Sequence, residues 1–308
     1  MNDNNTNPET GILDDARLEN LNKNIINIEE NEIISFLILI PFSISGALIR
    51  IKLRDVFNFV DSEIYSLIYA QLIGCFIMGF CLRYRQIIVN LYSPLYIGLT
   101  SGLCGSITTF SSWNIDIFQS LTNTKNPNYN VMNGITQIII TICVSMWCIY
   151  VWIADFEIKN TYKTTKIRKW KKIDIFITLL SLIILIIILI LVIIYKSYIT
   201  IVCITAPLGS FMRFYLSRFN IKIPKFPIGT FLANIIGTLI ISFLKYKNND
   251  ITNGFSDGLC GCLTTISTFA VELVTLYRLH SFIYATISVF LAQCIVFIVL
   301  GTYIWTNN

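Results

Sequence analysis

The sequence predicts an all-α polytopic membrane protein, in which two inverted four-helix repeats are joined by a linking transmembrane helix. Two observations predict this fold. First, 55% of the 308 residues are hydrophobic and only 13% are charged, and the mean hydropathy is +0.67, outside the usual range of soluble domains. Second, a twelve-residue string that begins at Gly102 recurs in similar form at Gly258, 156 residues later. The chain is therefore interpreted as a duplicated membrane unit.

Nine apolar segments are predicted to span the bilayer, whose hydrocarbon core requires about 20 helical residues. The clearest is the unbroken apolar run 175–195, which divides the other eight into two sets of four. The predicted spans are 33–51, 64–82, 92–121, 132–153, 175–195, 197–216, 228–244, 251–276 and 280–305. Because one span separates the two sets, the second set must enter the membrane in the opposite sense to the first. An inverted repeat with a pseudo-twofold axis in the membrane plane is expected.

The spans divide the chain into five segments. Residues 1–32 are rich in Asn and acidic residues, which is typical of a disordered tail rather than of a signal peptide. Residues 33–153 form the first repeat, 154–172 a basic loop, 173–195 the linking helix and 196–308 the second repeat.

The charge distribution predicts the orientation. The net charge is +5, and the basic residues lie in loops between apolar spans. The positive-inside rule explains this pattern better than a nucleic-acid partner does. The excess of Lys and Arg on one face predicts a cytosolic amino terminus and an external carboxyl terminus.

Each half carries a glycine-punctuated Thr-Thr-x-Ser segment inside its third span, at Thr108 and at Thr264. Lipid offers no hydrogen-bond partner for backbone groups that a helix break sets free, so the break must be buried in protein or line water. Functional sites in membrane transport proteins are often built at interrupted helices that are paired across repeats. A broken third helix in each repeat is therefore expected to mark the site.

Enzymatic chemistry is not expected. The chain has a single histidine, His280, and no phosphate-binding Gly-x4-Gly-Lys-Ser/Thr loop. A Ser or Cys hydrolase would need a histidine beside a nucleophile elbow, which the sequence lacks. The nine cysteines have neither the spacing of a disulfide framework nor that of a Cys/His metal cluster. Apolar packing is their expected role.

The duplication extends to other segments. The segment from Gly46 to Arg50 aligns with that from Gly209 to Arg213, and 70–74 aligns with 233–237. These segments, the two breaks, the pair Thr230 and Asn234, and the pair Tyr284 and Ser288 occur in the order found in a known family. The chain resembles the fluoride channels of the CrcB type, and specifically the fused two-domain fluoride exporters of eukaryotes, over about residues 33–305.

The resemblance implies a passive, highly selective fluoride channel that exports fluoride from the cytosol across the plasma membrane. It implies a dimer-like body that works as a monomer within the lipid bilayer. It also implies a structural sodium ion held by backbone carbonyls at the crossed breaks, at the positions of Gly105, Thr108, Gly261 and Thr264. Oxygen ligands suit a hard cation. The alternative is that these glycines only allow close helix packing.

The resemblance also implies which side chains line the fluoride path. Hydroxyl and amide donors come from Thr230, Asn234, Tyr284 and Ser288, and ring edges from Phe110 and Phe269. Such donors can replace the water of a small, strongly hydrated anion, and the edge of an aromatic ring carries partial positive charge. The alternative is that the polar residues bond neighbouring helices and that the phenylalanines are core residues.

The two halves differ at these positions. Where the second half has Thr230, Asn234, Phe269, Tyr284 and Ser288, the first half has, by our alignment, Leu67, Gln71, Trp113, Met132 and Thr136. The first phenylalanine survives as Phe110 in the first half and is replaced by Ile266 in the second. The losses are complementary. The resemblance implies two fluoride paths, and we assume that each combines the polar residues and second phenylalanine of one half with the first phenylalanine of the other. The sequence therefore predicts one functional pore and a second, vestigial path.

Two roles are possible for each of four charged residues. Arg50 and Arg213 match the first-helix arginine of the family and are expected either to line an aqueous vestibule and draw in anions or to snorkel to headgroups. Asp116 and Glu272, equivalent in the repeat, are either pore-mouth charges or charges that are solvated or paired at helix ends.

Two other classes of function compete with the channel. A proton-coupled small-molecule exporter could be built as a fused antiparallel pair, but it usually requires a carboxylate within the membrane, and the first span has none. A scaffold or receptor without transport activity would leave the duplicated breaks without a purpose. Fluoride flux that needs no proton gradient would exclude both.

Overall fold

The computed structural model describes residues 32–58, 65–123, 131–153, 171–195, 197–247 and 249–307, and every regular element in these ranges is helical. The predicted tail and most of the predicted basic loop lie outside the described residues. The helices are α1 (Glu32–Val56), α2 (Leu67–Arg83), α3 (Arg85–Ile97), α4 (Phe110–Leu121), α5 (Val131–Ile153), α6 (Lys171–Tyr195), α7 (Tyr198–Ser217), α8 (Ile228–Leu244), α9 (Asp250–Phe255), α10 (Ser267–Thr275), α11 (Arg278–Val296) and α12 (Thr302–Asn307).

Six of the nine predicted spans lie in helical stretches that are long and apolar enough to cross a membrane. Within the described residues, these stretches are Ile33–Val56, Arg85–Leu121, Val131–Ile153, Tyr198–Lys222, Asp250–Thr275 and Arg278–Asn307. Shorter apolar helices lie at the other three predicted positions, over Leu67–Arg83, Ile175–Ile184 and Ile228–Leu244. The chain is thus an α-helical polytopic membrane protein.

The third span of each half is interrupted in the same way. In the first half, α3 continues as a π-helix over Gly98–Cys104 and a short turn over Gly105–Ile107 before the chain reaches α4. In the second half, α9 continues as a π-helix over Ser256–Cys260 and a turn over Gly261–Leu263 before α10. Thr108 (φ −89°, ψ 148°) and Thr264 (φ −94°, ψ 153°) then adopt extended backbone. The predicted breaks are present at the predicted residues.

Helices of the first half pack directly against helices of the second half. Helix α1 packs on α7, and the linking helix α6 contacts both of them. Helix α4, which follows the first break, packs on α8 and α11, while α10, which follows the second break, packs on α2 and α5. The segment after each break therefore lies against the other half of the chain.

Glycines allow the breaks to approach neighbouring helices. A Cβ atom on Gly74 would lie 2.4 Å from Cγ2 of Thr108, and one on Gly237 would lie 2.3 Å from Cγ2 of Thr264. Neither position has room for a side chain. Each break is thus seated against the second helix of its own half, α2 or α8, through a glycine that the duplication repeats.

Candidate functional site

The two helix breaks meet at the centre of the molecule through their threonines. The hydroxyl of Thr109 lies 3.0 Å from that of Thr264, and the hydroxyl of Thr108 lies 3.1 Å from that of Thr265. The backbone N–H of Phe110 donates to Oγ1 of Thr264 over 3.1 Å. Each half therefore supplies hydroxyl groups at the break of the other. Backbone N–H groups at the start of the helix after each break, those of Phe110, Ser111 and Ser267, are thus satisfied by hydroxyls of the other half, as burial away from water requires.

Two arginines reinforce this crossing. Arg50, on α1, is fully buried, and its Nη1 donates to the carbonyl oxygens of Ser106 (2.5 Å) and Gly261 (2.9 Å). Arg213, on α7, is 4% exposed, and its Nη1 donates to the carbonyl oxygen of Gly105 over 2.5 Å. Each arginine thus binds the broken helix of the opposite half. The expectation that Arg50 and Arg213 line an aqueous vestibule or snorkel to headgroups does not agree with this burial, because both guanidinium groups are enclosed among backbone carbonyls.

The arginines donate hydrogen bonds to carbonyl oxygens among the predicted sodium ligands. Gly105, Thr108, Gly261 and Thr264 are all buried at the crossing. The carbonyl oxygens of Gly105, Gly261 and, at 3.5 Å, Thr264 accept hydrogen bonds from arginine Nη1 atoms. Because a carbonyl oxygen has two lone pairs, it can accept such a bond and still ligate an ion. The residues present fit a hard cation in ligand type, and a cation there would share its oxygens with guanidinium groups.

Asn234 and Gln71 make equivalent contacts in the two halves. The amide nitrogen of Asn234 donates to the carbonyl of Thr265 over 3.3 Å, and the backbone N–H of Thr265 donates back to Oδ1 over 2.9 Å. Gln71 forms the same reciprocal pair with Thr109, over 2.7 and 3.3 Å. Both side chains hold the second threonine of their own break. This contact is therefore shared scaffold and does not by itself distinguish the halves.

Glu272 lies at the centre of a polar cluster in the second half. Its carboxylate accepts hydrogen bonds from the hydroxyls of Thr230 (2.5 Å) and Tyr284 (2.7 Å) and from the amide of Asn220 (3.0 Å). All three partners are neutral donors. The sequence predicts only a helix-end or pore-mouth charge for Glu272, and no sequence motif indicates Asn220. The signal for Glu272 was its spacing, because it follows Phe269 by three residues and so shares its helix face.

Aromatic rings form a continuous row from this cluster to the first half. The ring centroid of Tyr284 lies 5.1 Å from that of Phe269, which lies 5.5 Å from that of Phe110. Phe110 in turn contacts Trp113 edge-on at 5.5 Å. The two predicted phenylalanines are thus in direct contact although they come from different halves. We call Thr230, Asn234, Phe269, Glu272, Tyr284 and Ser288 the second-half track.

Ser288 contributes an uncommitted hydroxyl to this track. It is fully buried one helical turn beyond Tyr284 on α11, and its Oγ has no hydrogen-bond partner in the described part of the chain. A buried hydroxyl without a partner is costly unless something else uses it. Its donor is free to meet a small anion.

The corresponding region of the first half has a different content. Leu67 and Trp113 are fully buried where the second half has Thr230 and Phe269. The alignment of Met132 with Tyr284 is wrong, because Met132 is 64% exposed, and Thr136 is exposed as well. The buried face of α5 instead includes Gln137, Thr141, Ser145 and Ile149, which repeat the spacing of Tyr284, Ser288, Ala292 and Val296 on α11.

A packing contact supports this corrected alignment. A Cβ on Gly134 would lie 3.6 Å from the carbonyl oxygen of Ile117, and the hydroxyl of Ser281 donates to the carbonyl oxygen of Leu273, the residue that matches Ile117. Gln137 and Thr141 therefore take the places of Tyr284 and Ser288. We call Leu67, Gln71, Trp113, Asp116, Gln137 and Thr141 the first-half track.

The sequence comparisons identify the family of the chain. The family described as CrcB-like protein, Camphor Resistance (CrcB), matches residues 37–151 and again residues 200–302. The chain belongs to the CrcB family. The two matches fall on the two halves that the duplication defines, so each half carries one family domain.

Several curated proteins are similar to most of the chain. The fluoride export protein 1 of Candida albicans is 28% identical over 306 residues, which cover 86% of this chain and 78% of that protein. The fluoride export protein 1 of Schizosaccharomyces pombe is 29% identical, and 86% of this chain and 95% of that protein are covered. The fluoride-specific ion channel FluC of Acinetobacter baylyi is 33% identical over 125 residues, 37% of this CrcB chain and 98% of its own length. No solved structure matches the chain.

Proposed function

We propose that this CrcB protein is a passive fluoride channel that exports fluoride through one pore, formed by the second-half track and Phe110. The observation that carries the proposal is the continuous row of hydroxyl donors and ring edges from Ser288 to Phe110. The names of the relatives, fluoride export protein and fluoride-specific ion channel, support the choice of ion. The protein is a transporter of an ion and not an enzyme.

The chemistry of the track suits fluoride. A small, strongly hydrated anion enters a narrow pore only if donors replace its water, and it leaves only if none of them holds it tightly. The donors of Ser288, Thr230 and Tyr284 are neutral, and the ring edges of Phe269 and Phe110 carry only partial positive charge. No lysine or arginine belongs to the track, so an anion is not trapped by a fixed full charge.

The carboxylate of Glu272 orients hydroxyl donors of the second-half track when no ion is bound. It accepts from Thr230 and Tyr284 and so keeps both hydroxyls pointed at one place. A fluoride ion is a second acceptor for the same hydrogens, and it takes the place of a carboxylate oxygen as it passes. The donors are therefore oriented before the ion arrives, which lowers the cost of binding it.

The direction of transport follows from the membrane potential. Hydrogen fluoride crosses bilayers as a neutral weak acid and dissociates in the less acidic cytosol, where the anion is retained. An inside-negative potential then expels the anion through a selective pore. We place the protein in the plasma membrane with its amino terminus in the cytosol, in accordance with the loop charges.

The same proposal includes the architecture. The chain would cross the membrane nine times as two inverted four-helix repeats joined by α6, and one chain would suffice for function. The reciprocal contacts of Arg50 with Gly261 and of Arg213 with Gly105 support this arrangement, since equivalent residues exchange partners between halves.

We further propose a structural sodium ion at the crossing, held by the carbonyls of Gly105, Thr108, Gly261 and Thr264. The ion would supply positive charge to carbonyls that the breaks remove from helical bonding. The test is thermal unfolding of the purified protein in sodium, potassium or N-methylglucamine chloride at equal ionic strength. A higher midpoint in sodium alone is expected, and equal midpoints in all three salts would contradict the sodium site.

The channel itself is tested by fluoride efflux from liposomes that contain the purified protein. A fluoride electrode follows the efflux after a potassium ionophore clamps the voltage, and chloride efflux is the control. Rapid efflux of fluoride alone, unchanged when the proton gradient is collapsed, is expected. Efflux that requires a proton gradient would favour the coupled exporter instead, and well-folded protein that passes neither ion would exclude a channel.

A further inference from the structure

The carboxylates of the two tracks have different partners. Asp116 follows its break by the same number of residues as Glu272 does. Whereas Glu272 has only neutral partners among the residues that the structure describes, Oδ1 of Asp116 lies 3.9 Å from Nη2 of Arg54. Nη1 of the same guanidinium lies 3.6 Å from Oδ1 of Asp257, whose other oxygen accepts a hydrogen bond from the hydroxyl of Tyr198 over 2.5 Å. Arg54 is thus held between a carboxylate of each half.

The duplication places no arginine at the matching position of the second half. The residue of α7 that corresponds to Arg54 is Ser217. Nor does the repeat equivalent of Asp257 carry charge, since that residue, in the first half, is Ser101. The ion-pair cluster is therefore a feature of one track only.

The ion-pair cluster of Arg54 lies beside a cavity, which we take as the mouth of the first-half track. A space of about 490 Å³ is lined by Arg54, Asp257 and Tyr198 and also by Ser66, which directly precedes Leu67 of the first-half track. The side chain of Arg54 is 30% exposed and that of Asp116 is 11% exposed, so the guanidinium lies at the boundary between the cavity and the buried carboxylate. Beyond it, Leu67 and Trp113 are fully buried.

The charges of the cavity also oppose an anion. Three carboxylates line it, those of Asp55, Asp250 and Asp257, against the two cations Arg54 and Lys245. By contrast, Asn220, which donates to Glu272, lies in a 3-10 turn over Arg218–Lys222 with a cation at each end. The mouth of one track is therefore net acidic and that of the other is flanked by basic residues.

We propose that Arg54 closes the first-half track at its mouth. Its guanidinium fills the space beside Asp116, and the attraction of Asp116 and Asp257 from opposite sides keeps it there. Arg54 is thus a positioning residue that keeps fluoride from entering the wrong path. This inference rests on the proposed two-track channel, in which an open second mouth would expose polar groups such as Gln71 to water.

The closure is tested by cysteine modification of the full-length protein in liposomes, with Cys143 and Cys294 replaced by serine. A cysteine at Leu67 is expected to be protected from a small neutral methanethiosulfonate when Arg54 is present, and to react at least about tenfold faster with Arg54→Ala. A cysteine at Ser66, on the cavity wall, is expected to react rapidly in both backgrounds. Native Cys260, which is fully buried, is the control for unfolding and must stay protected.

Two results would overturn the proposal: a Leu67 cysteine that reacts equally fast with Arg54 intact, or one that stays equally slow without it. If Arg54→Ala exposes Cys260, the comparison is repeated with Arg54→Gln, which keeps a shorter polar side chain at the site and removes the charge. The reaction is followed by mass spectrometry without fluoride. Failure of the channel proposal would therefore appear in the efflux assay and leave this measurement unaffected.

Discussion

In the second-half track, the carboxylate of Glu272 accepts three hydrogen bonds from neutral side chains, whereas in the first-half track the matching carboxylate of Asp116 faces the guanidinium of Arg54. Around this difference the scaffold is the same. Both halves have a broken third helix, a glycine beneath the break and an amide side chain that holds the second threonine. The comparison shows that a duplicated membrane unit can keep its packing in both copies while the partners of equivalent polar side chains differ.

The largest difference between the halves is expected when the same amide contact is removed from each half in turn. Asn234→Leu and Gln71→Leu each delete two hydrogen bonds to a break threonine, so the two variants should lose similar stability, about 1 kcal/mol per bond. Only Asn234 lies in the proposed pore. We expect Asn234→Leu to abolish fluoride efflux from liposomes and Gln71→Leu to keep it near the wild-type rate.

Thermal unfolding of both variants is the control for this experiment. If their midpoints agree and only one variant loses flux, the asymmetry belongs to conduction and not to folding. Equal loss of flux in both variants would contradict the single pore.

The second prediction concerns Phe110, whose ring contacts Phe269 of the other half. Phe110→Ile removes the ring edge that lies beside Phe269, and an aromatic contact of this kind contributes up to about 1.5 kcal/mol. We expect fluoride efflux to fall by about tenfold, since 1.4 kcal/mol corresponds to a factor of ten. Ile266→Leu is the matched control at the equivalent position, and it should leave efflux unchanged. A similar fall in both variants would mean that the rings act only in packing.

The sequence alone predicts much of this arrangement, because its strongest signals are repeated. The spans follow from apolar length, and the breaks at Thr108 and Thr264 follow from a polar, glycine-containing string inside apolar sequence. The direct contact of Phe110 with Phe269 could be anticipated only through the family resemblance, since the two residues lie in different halves.

The errors have identifiable physical causes. The pairing of Met132 with Tyr284 fails because the connection between α4 and α5 differs in length from that between α10 and α11, so sequence offset does not carry over. The buried spacing of Gln137 and Thr141 was the better guide. The sequence predicts that Arg50 lines an aqueous vestibule or snorkels to headgroups, because charged residues on apolar helices usually reach water. Arg50 lies one turn beyond Gly46, which packs against the broken helix, and so shares that inward face.

The third prediction tests the two carboxylates directly. Glu272→Gln keeps the shape of the side chain but replaces one acceptor oxygen with a donor, which opposes the hydroxyls of Thr230 and Tyr284. We expect fluoride efflux to fall by about fivefold, equivalent to about 1 kcal/mol. Asp116→Asn, at the equivalent position of the other half, should leave efflux unchanged. Unchanged flux with Glu272→Gln would remove the carboxylate from the mechanism.

The smallest effect on fluoride efflux is expected for Ser288→Ala, and this variant distinguishes a role in conduction from a role in stability. Ser288 has a buried hydroxyl with no partner among the described residues, so Ser288→Ala removes a desolvated polar group and loses no hydrogen bond within the protein. The unfolding midpoint should therefore stay the same or rise. The permeating fluoride ion, however, loses a donor, and efflux should fall by about threefold. Ser145→Ala, at a buried serine of the first half, should leave efflux unchanged. A variant that is at least as stable and yet slower would assign the Ser288 hydroxyl to the ion, because a purely structural serine could not produce that combination.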